Sequence, residues 1–306
     1  MKNGLPKISI VTACLNHGKY LEDAILSVME QGYPNFEHIV IDGASNDNTL
    51  EVLKRYPHVR WISESDKGQS DALNKGFRMA TGDLVGWLNA DEYYLPGAFA
   101  TITHATEENP KADIFYGDCI FVDEQGRLKR AKTAHGFDYR MLLYYGCFII
   151  TATTFFRRDL FDENYLLDLE YRVVMDFEYF VRLAAAGKTF HYTNSLIGAF
   201  RWLETNASLQ HGRRRMERLR VQRTWSVLKA PDTVYDTLAK LYQTKRVAVK
   251  MLSGSYGNEW KVLRNAPKKT LWFQRAEDLD TCKRLLSKRL PHFAKADISQ
   301  EESRRG

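Results

Sequence analysis

The sequence predicts an α/β protein, with a mostly parallel, Rossmann-like sheet flanked by helices and a basic helical extension at the carboxyl end. Three observations support this fold class. Short apolar runs alternate with segments of helical periodicity over the first hundred residues. A polar residue follows each of the first four apolar runs. The last third of the chain changes to basic, helix-forming sequence.

Four strands and three helices are predicted before residue 90. A helix is predicted over residues 20–31, because apolar residues from Leu21 to Val28 recur at helical spacing and Pro34 ends the pattern. The predicted strands cover residues 8–11, 36–41, 60–62 and 84–88, and the predicted helices cover residues 20–31, 49–56 and 68–80. Because parallel strands need helical crossovers, this order predicts a parallel sheet with right-handed connections.

Beyond Pro96 the pattern is less regular. Strands are predicted over residues 114–123 and 153–156, and a helix is predicted over residues 176–187. Trp202 is expected to be structural, with stacking on a ligand as the alternative.

Composition and cysteine spacing limit the class of protein. The chain has 306 residues, of which 44% are hydrophobic, enough for one large domain or one domain with a smaller addition. Its four cysteines are scattered without metal-ligand or redox spacing, which suits a reducing, cytoplasmic compartment. The longest apolar runs fall short of a membrane span. The run 8–15 is expected to be a buried strand rather than a signal peptide, since no cleavage pattern follows it.

The charge is divided unevenly along the chain. Residues 1–205 carry a net charge of −7 and residues 206–306 a net charge of +13. This predicts two regions, 1–205 and 206–306, with different roles. The basic region 206–306 has two interpretations, solvated helices packed on the first region and peripheral docking on an anionic membrane, and its run 213–223 offers a third, nucleic-acid binding. The acidic first region argues against the last, so no nucleic-acid partner is expected.

Carboxylates and amides fall where a ligand would sit. Asn16, Asp42, Asp66 and Asp91 each follow a predicted strand, and ligands of such sheets bind beyond the carboxyl ends of strands. Each aspartate also has a simpler explanation: Asp42 as a turn former, Asp66 as a cap of the third predicted helix, and Asp91 as a cap of the turn before Pro96. Asp176, at the start of a predicted helix, has helix capping as its alternative role.

In order, segments over roughly residues 7–205 resemble glycosyltransferase family 2 proteins of the GT-A fold. Ala13 and Leu15 replace the usual Pro and Tyr of that family's first strand. The most similar subgroup has a WLNSDD-like block. Here it is WLNADE, with Asn89 where a first acid can occur and Glu92 in place of the final Asp. The matching segments are ISIVTACLN at 8–16, SVMEQGYP at 27–34, DGASNDNT at 42–49, DKGQSDALNKG at 66–76, WLNADE at 87–92, MDFEYFVRL at 175–183 and AFR at 199–201.

The resemblance implies an inverting transfer of a sugar from a nucleotide-diphosphate sugar, by default a UDP-sugar, to an acceptor hydroxyl. Such a reaction needs a base for the acceptor proton and positive charge for the leaving diphosphate. By resemblance Asp176 is the catalytic base, and Asp91 holds Mg²⁺ or Mn²⁺. The residues expected to bind the nucleotide-sugar are Thr12, Asn16, Asp42, Asp66, Asn89, Ala90, Asp91 and Arg201, with Arg201 near the diphosphate.

The resemblance also implies a partner and a place in the cell. The expected enzyme is a hexosyl- or N-acetylhexosaminyl-transferase of bacterial cell-surface polysaccharide or lipid-linked oligosaccharide synthesis. Its acceptor would be a saccharide or a lipid-linked saccharide. We expect it in the cytoplasm, with peripheral contact at the inner membrane face as a further option. A nucleotidyltransferase is the rival enzyme class, but residues 13–18 lack the Gly-rich, basic loop it would need.

Overall fold

A computed structural model describes residues 4–204 and 206–265. The strands are β1 Ile8–Cys14, β2 Phe36–Asp42, β3 Val59–Ser63, β4 Leu84–Trp87, β5 Tyr93–Tyr94, β6 Ile114–Val122, β7 Leu128–Lys132, β8 Thr154–Arg157 and β9 Phe190–Arg201. The helices are α1 Gly18–Met29, α2 Thr49–Lys54, α3 Gln69–Met79, α4 Ala98–Glu108, α5 Tyr139–Tyr145, α6 Asp159–Asp162, α7 Met175–Ala185, α8 His211–Trp225, α9 Asp232–Leu252 and α10 Ser255–Asn265.

The strands form one sheet in the order β3-β2-β1-β4-β8-β6-β9-β5, with β7 paired to β6. The first four strands are parallel to one another. β8 is antiparallel to both β4 and β6, and β9 is parallel to β6. In the described chain, β1, β2, β3, β4, β6 and β9 therefore share one direction. This confirms the predicted α/β fold with a mostly parallel sheet.

The core explains why β1 and α3 form where they do. Every residue of β1 is buried, because helices cover both faces of the sheet there. Leu73 and Phe77 of α3 pack into the same cluster as Val11. A Cβ on Gly76 would lie 2.3 Å from a methyl carbon of Val11, so glycine permits the close contact between helix and strand.

The predicted strands and helices are confirmed to within three residues at each end. The longest strand, β9, was not predicted. Its sequence interrupts the apolar pattern with Asn194, which has a left-handed φ of 51°, and with Gly198. Its pairing with β6 also shifts register near Asp118. Strand propensity is weak where the pattern is broken, and tertiary pairing determines the outcome.

The basic helices pack on the first region. Val221 of α8 is fully buried in the main core. Gln222 Nε2 donates to the carbonyl oxygen of Leu143 at 2.8 Å. Glu259 of α10 accepts from the backbone N–H of Thr133 at 2.7 Å. These contacts agree with the packed-helix interpretation, and the boundary at residue 205 stays a prediction. The remainder of the predicted extension, 266–306, lies outside the described residues.

Within residues 4–204 and 206–265, no helix combines the length and the hydropathy needed for a membrane span.

Candidate active site

A cavity of about 410 Å³ opens at the carboxyl ends of β1 and β4. This is the edge of the sheet at which the sequence predicts ligand binding. Its wall is formed by residues 13–15 and His17, by Asp66, Gly68, Gln69 and Ala72, by Trp87 and residues 89–92, by Thr151, by residues 172, 173, 175 and 176, and by Phe200 and residues 206–208.

The turn after β4 presents Asp91 and Glu92 to this cavity. The carbonyl oxygen of Asn89 accepts from Glu92 N–H, and Glu92 Oε2 accepts from Asn89 N–H, each at 3.1 Å. Asn89 Oδ1 also accepts from Trp87 Nε1 at 3.0 Å and from Gln69 Nε2 at 2.8 Å. Protein donors therefore already use the Asn89 oxygen, which leaves the partly buried Asp91 carboxylate as the oxygen ligand that the turn offers to the cavity.

Three carboxyl groups around the cavity have raised pKa values, so their ionised forms are disfavoured when no cation is bound. Burial raises the pKa of Asp91. Burial, reinforced by the charge of Asp91, raises the pKa of Glu92 to about 8. Burial also raises the pKa of Asp176, against smaller opposing effects that include the charge of Arg214. Glu92 is 1% exposed, and its Oε1 has no hydrogen-bond partner in the described chain. Bound positive charge would relieve this repulsion.

The donor set fits a divalent cation shared with a substrate. Within residues 4–204 and 206–265, no three His, Cys, Asp or Glu side chains cluster closely enough to form a protein cage for a metal. Mg²⁺ is usually bound by one or two carboxylates together with substrate phosphates and water. Asp91, with Glu92 beside it, meets that requirement.

Asp66 lines the cavity near the start of α3. Its Oδ1 accepts from Gly68 N–H at 2.6 Å. A Cβ on Gly43 would come within 2.7 Å of Asp66 Oδ2, so a glycine at position 43 leaves the space that the carboxylate occupies. Arg172 also lines the cavity, and its guanidinium donates to the carbonyl oxygen of Lys67. The sequence had not singled out Arg172, which lies in an irregular loop.

Asp176 lies in the first turn of α7, where its Oδ1 accepts from Phe177 N–H at 2.7 Å. The segment leading into this helix is held by Glu217 of α8, which accepts from the backbone N–H groups of Arg172, Val173 and Val174 at 2.9–3.2 Å. A carboxylate of the basic extension therefore holds the segment just before Asp176, and Asp176 remains directed at the cavity. No sequence pattern indicated this role for Glu217.

Thr12 and Asp42 do not line the cavity, and their expected contact with the nucleoside stays a prediction. Successive strand residues project to opposite faces. Ala13 lines the cavity, whereas Thr12 is fully buried and hydrogen-bonds His38 Nε2 at 3.0 Å. The fully buried Asp42 carboxylate accepts from Ser63 Oγ at 2.6 Å and from the backbone N–H and hydroxyl of Ser45. It therefore stabilises the turn after β2.

Asn16 and Arg201 are likewise outside the wall. Asn16, with a left-handed φ of 55°, accepts from Asn46 N–H at 2.9 Å and stabilises the neighbouring turn. Arg201 is 2% exposed, and its guanidinium donates to the carbonyl oxygens of Asp91 and Glu124 and to the carboxylate of Asp23. All three acceptors are protein groups and one belongs to the Asp91 turn, so Arg201 supports that turn, and its contact with a diphosphate stays a prediction.

The other predicted site residues do meet at the cavity: Asp66, Asn89, Ala90, Asp91 and Asp176 all line it. The wall also includes His17, Phe200 and residues 206–208, which the sequence had not placed there. Phe200 belongs to the AFR segment 199–201, but the direction of its side chain could not be predicted because strand β9 was not.

The chain is similar in sequence to known glycosyltransferases. The model of the family "Glycosyl transferase family 2" matches residues 9–165. The PGL/p-HBAD biosynthesis glycosyltransferase of Mycobacterium bovis is 31% identical over 183 residues, which cover 58% of this chain and 69% of that protein. The chain therefore belongs to glycosyl transferase family 2, and it is a glycosyltransferase.

Two solved structures share the fold. TarS residues 1–349 from S. aureus, in complex with UDP, has a TM-score of 0.55 at 16% identity, covering 95% of this chain and 87% of that one. The chain spans 43% of a longer TarS structure. The mannosyltransferase PcManGT from Pyrobaculum calidifontis, in complex with GDP-Man and Mn²⁺, has a TM-score of 0.55 at 16% identity, covering 98% and 81%. At these identities the likeness shows the fold alone.

Proposed function

We propose that this glycosyltransferase moves a sugar from a nucleoside-diphosphate sugar to an acceptor hydroxyl with inversion at the anomeric carbon. One observation carries the proposal: Asp66, Asp91 and Asp176 come from three separate loops or helix starts and line a single cavity. Separated carboxylates of this kind suit binding of the donor, balancing of charge at the diphosphate and removal of a proton.

In the proposed reaction Asp176 accepts the proton of the acceptor hydroxyl as that oxygen forms its bond to the anomeric carbon. The bond from that carbon to the diphosphate oxygen breaks, and its electron pair leaves with the diphosphate. Asp66 holds the nucleoside, and Asp91 holds a divalent cation. When bound, Mg²⁺ or Mn²⁺ supplies positive charge to the leaving group. The raised pKa of Asp176 makes it a stronger base than an exposed aspartate.

The default donor is a UDP-sugar, and the acceptor class is a saccharide or lipid-linked saccharide. The TarS and PcManGT structures named above hold UDP and GDP-Man respectively. A carboxylate such as that of Asp66 can accept hydrogen bonds from the N–H groups of either uracil or guanine. Thermal shift and donor hydrolysis, measured over UDP- and GDP-sugars with and without Mn²⁺, test the donor. We expect one nucleotide class to stabilise the folded chain by about 2.7 kcal/mol at a concentration a hundredfold above its Kd.

A matched pair of variants tests the metal. Asp91→Asn should remove the extra stabilisation that Mn²⁺ gives in the presence of the nucleotide. Asp162→Asn, an exposed aspartate of α6 away from the cavity, should keep it. Equal Mn²⁺ responses in the two variants would exclude Asp91 as the ligand. If no nucleotide-sugar stabilises the protein or is hydrolysed, the proposed function itself is wrong.

Peripheral contact with the cytoplasmic face of a membrane is the second part of the proposal. The basic helices expose Leu241, Met251, Leu252 and Trp260, and exposed apolar groups beside basic charge suit an anionic bilayer. Truncation at residue 205 would remove the buried Val221, so substitutions are the better test. Replacing Met251 and Leu252 by Glu should weaken binding to phosphatidylglycerol vesicles. Val227→Glu, at another exposed position, is the control, and equal binding by all forms would contradict membrane contact.

A further inference from the structure

A row of aromatic rings runs across the sheet at the end of β9. Phe121 of β6 lies opposite Phe200 of β9, and their ring centroids are 5.1 Å apart. Trp202 packs against both rings, with centroid distances of 6.2 and 6.3 Å. The Arg130 guanidinium covers the Phe121 ring at 4.3 Å. Trp202 is 45% exposed, so the row ends in an accessible indole.

The backbone on both sides of Trp202 is fixed by hydrogen bonds. Its own N–H donates to the carbonyl oxygen of Val122 at 2.8 Å. Asn206 Oδ1 accepts from Leu203 N–H at 2.8 Å, and Asn206 Nδ2 donates to the carbonyl oxygen of Arg201 at 3.3 Å. An aromatic ring carried on a fixed backbone loses little conformational entropy when a ligand covers it. This exposed ring is therefore pre-organised for binding.

Trp202 is adjacent to the cavity. Side chains two residues apart in a strand project to the same face. Phe200 lines the cavity, and Trp202 continues the face that Phe200 occupies. Asn206, on the other side of Trp202, also lines the cavity. The Trp202 ring packs against the ring of Phe200, so the exposed indole lies next to the wall of the cavity.

The order of strands identifies which end of the cavity this is. Asp66 follows β3 at one edge of the sheet, and Asp91 follows β4 nearer the middle. Phe200 belongs to β9, three strands beyond β4. A donor with its nucleoside at Asp66 and its diphosphate at Asp91 therefore leaves the end at Phe200 open for a second substrate.

Ser208 offers a polar atom at the same end. It lines the cavity, and its Oγ is buried without a hydrogen-bond partner within residues 4–204 and 206–265. Buried hydroxyls in folded proteins are normally hydrogen-bonded. A ligand hydroxyl placed here would satisfy it.

We propose that Trp202, Phe200 and Ser208 form the acceptor-saccharide subsite. The apolar face of a pyranose ring stacks on the exposed indole, and a ring hydroxyl bonds Ser208 Oγ. An aromatic surface beside a free hydroxyl matches a sugar, which has an apolar face and a polar edge. This inference rests on the proposed function, because it specifies where the second substrate binds.

Saturation-transfer NMR on the full chain, with methyl glucoside, galactoside, mannoside and N-acetylglucosaminide as probes, tests the subsite. The variants are Trp202→Ala, Trp202→Phe and Ser208→Ala, with Trp61→Ala as the matched control, since Trp61 is an exposed tryptophan on β3. We expect at least one glycoside to bind the wild type and the control alike. Its dissociation constant should rise roughly tenfold or more in Trp202→Ala. Trp202→Phe should recover part of the affinity, and Ser208→Ala should weaken binding less.

The outcomes separate this inference from the proposed function. If donor is turned over but Trp202→Ala and Trp61→Ala bind glycosides equally, or if the wild type binds no glycoside, the subsite is wrong and the function stands. If no nucleotide-sugar is bound or turned over, the function is wrong. If Trp202→Ala loses binding to phosphatidylglycerol vesicles and keeps glycoside affinity, the indole serves a membrane and the subsite is again wrong.

Discussion

Arg201 Nε donates a hydrogen bond to the carbonyl oxygen of Asp91 at 3.1 Å. The same guanidinium also bonds the carbonyl oxygen of Glu124 and the carboxylate of Asp23. It lies over the rings of Tyr20 and Tyr93 at 4.9 and 5.6 Å. One buried cation thus joins several segments beneath the turn that presents the candidate metal ligand. We therefore expect Arg201 to affect the chemistry through the position of Asp91.

Arg201→Met should therefore lower the stability of the fold, and its main effect should not be the loss of a contact with the diphosphate. The substitution leaves the Asp23 carboxylate, whose pKa burial already raises, without its cation, and it leaves two carbonyl oxygens without a donor. Breaking a buried ion pair by removing one partner costs about 3–5 kcal/mol. Urea unfolding measures the loss. A variant with wild-type stability and a raised donor KM would restore the diphosphate role expected from the sequence.

Arg127→Gln is the matched control for that substitution. Arg127 also pairs with an aspartate, Asp123, but its side chain is 51% exposed. Exposed pairs contribute about 0–1 kcal/mol, so this variant should unfold close to the wild type.

The contrast between Asp91 and Arg201 shows how far the sequence could determine the site. Periodicity located the strands, and a parallel sheet brings strand ends together, so Asp66 and Asp91 were predicted correctly to share an edge. Which face a side chain occupies depends on register, and a shift of one residue reverses it. That is why Ala13 rather than Thr12 lines the cavity. Ser208 belongs to a 3-10 helix of three residues that Asn206 precedes, which is too short to give a periodic signal.

Gly43→Ala should weaken donor binding with little effect on stability. The new Cβ would lie 2.7 Å from Asp66 Oδ2, and the carboxylate has to move away. Because the neighbour is the end of a side chain, the fold should lose no more than about 0.5 kcal/mol. Calorimetric titration with the nucleotide that emerges from the donor panel should show a Kd raised roughly tenfold. Gly136→Ala, where no atom lies within 4 Å of the added carbon, should bind like the wild type. Equal affinities in the two variants would remove Asp66 from the donor site.

His38 should make the fold sensitive to acid. Burial, with a smaller effect from His58, lowers the pKa of His38 to about 3 from 6.5. As the pH falls below about 6.5, His38 becomes protonated in the unfolded chain, whereas in the folded chain it stays neutral until about pH 3. The folded state therefore loses stability between these two pH values. At about pH 5 the loss from this group is about 2 kcal/mol. Urea unfolding at about pH 7.5 and about pH 5 should show a smaller acid loss in His38→Gln. His104→Gln, at a surface position, should lose as much as the wild type, and identical acid losses in all three proteins would contradict the assignment.

Asp176→Asn should abolish transfer while leaving donor affinity nearly intact. The amide keeps the shape of the side chain but cannot accept the acceptor proton, and loss of a positioned base costs about 10²–10⁴ in kcat. In the wild type, burial raises the pKa of Asp176. As the pH is lowered, activity should therefore begin to fall at a higher pH than it would with an exposed aspartate as the base. Single-turnover transfer and calorimetric donor binding separate the two effects. Asp168 lies in the loop before α7 and does not line the cavity, so Asp168→Asn should keep wild-type turnover. Retained turnover in Asp176→Asn would remove Asp176 as the base, because an amide cannot accept the proton of the acceptor hydroxyl.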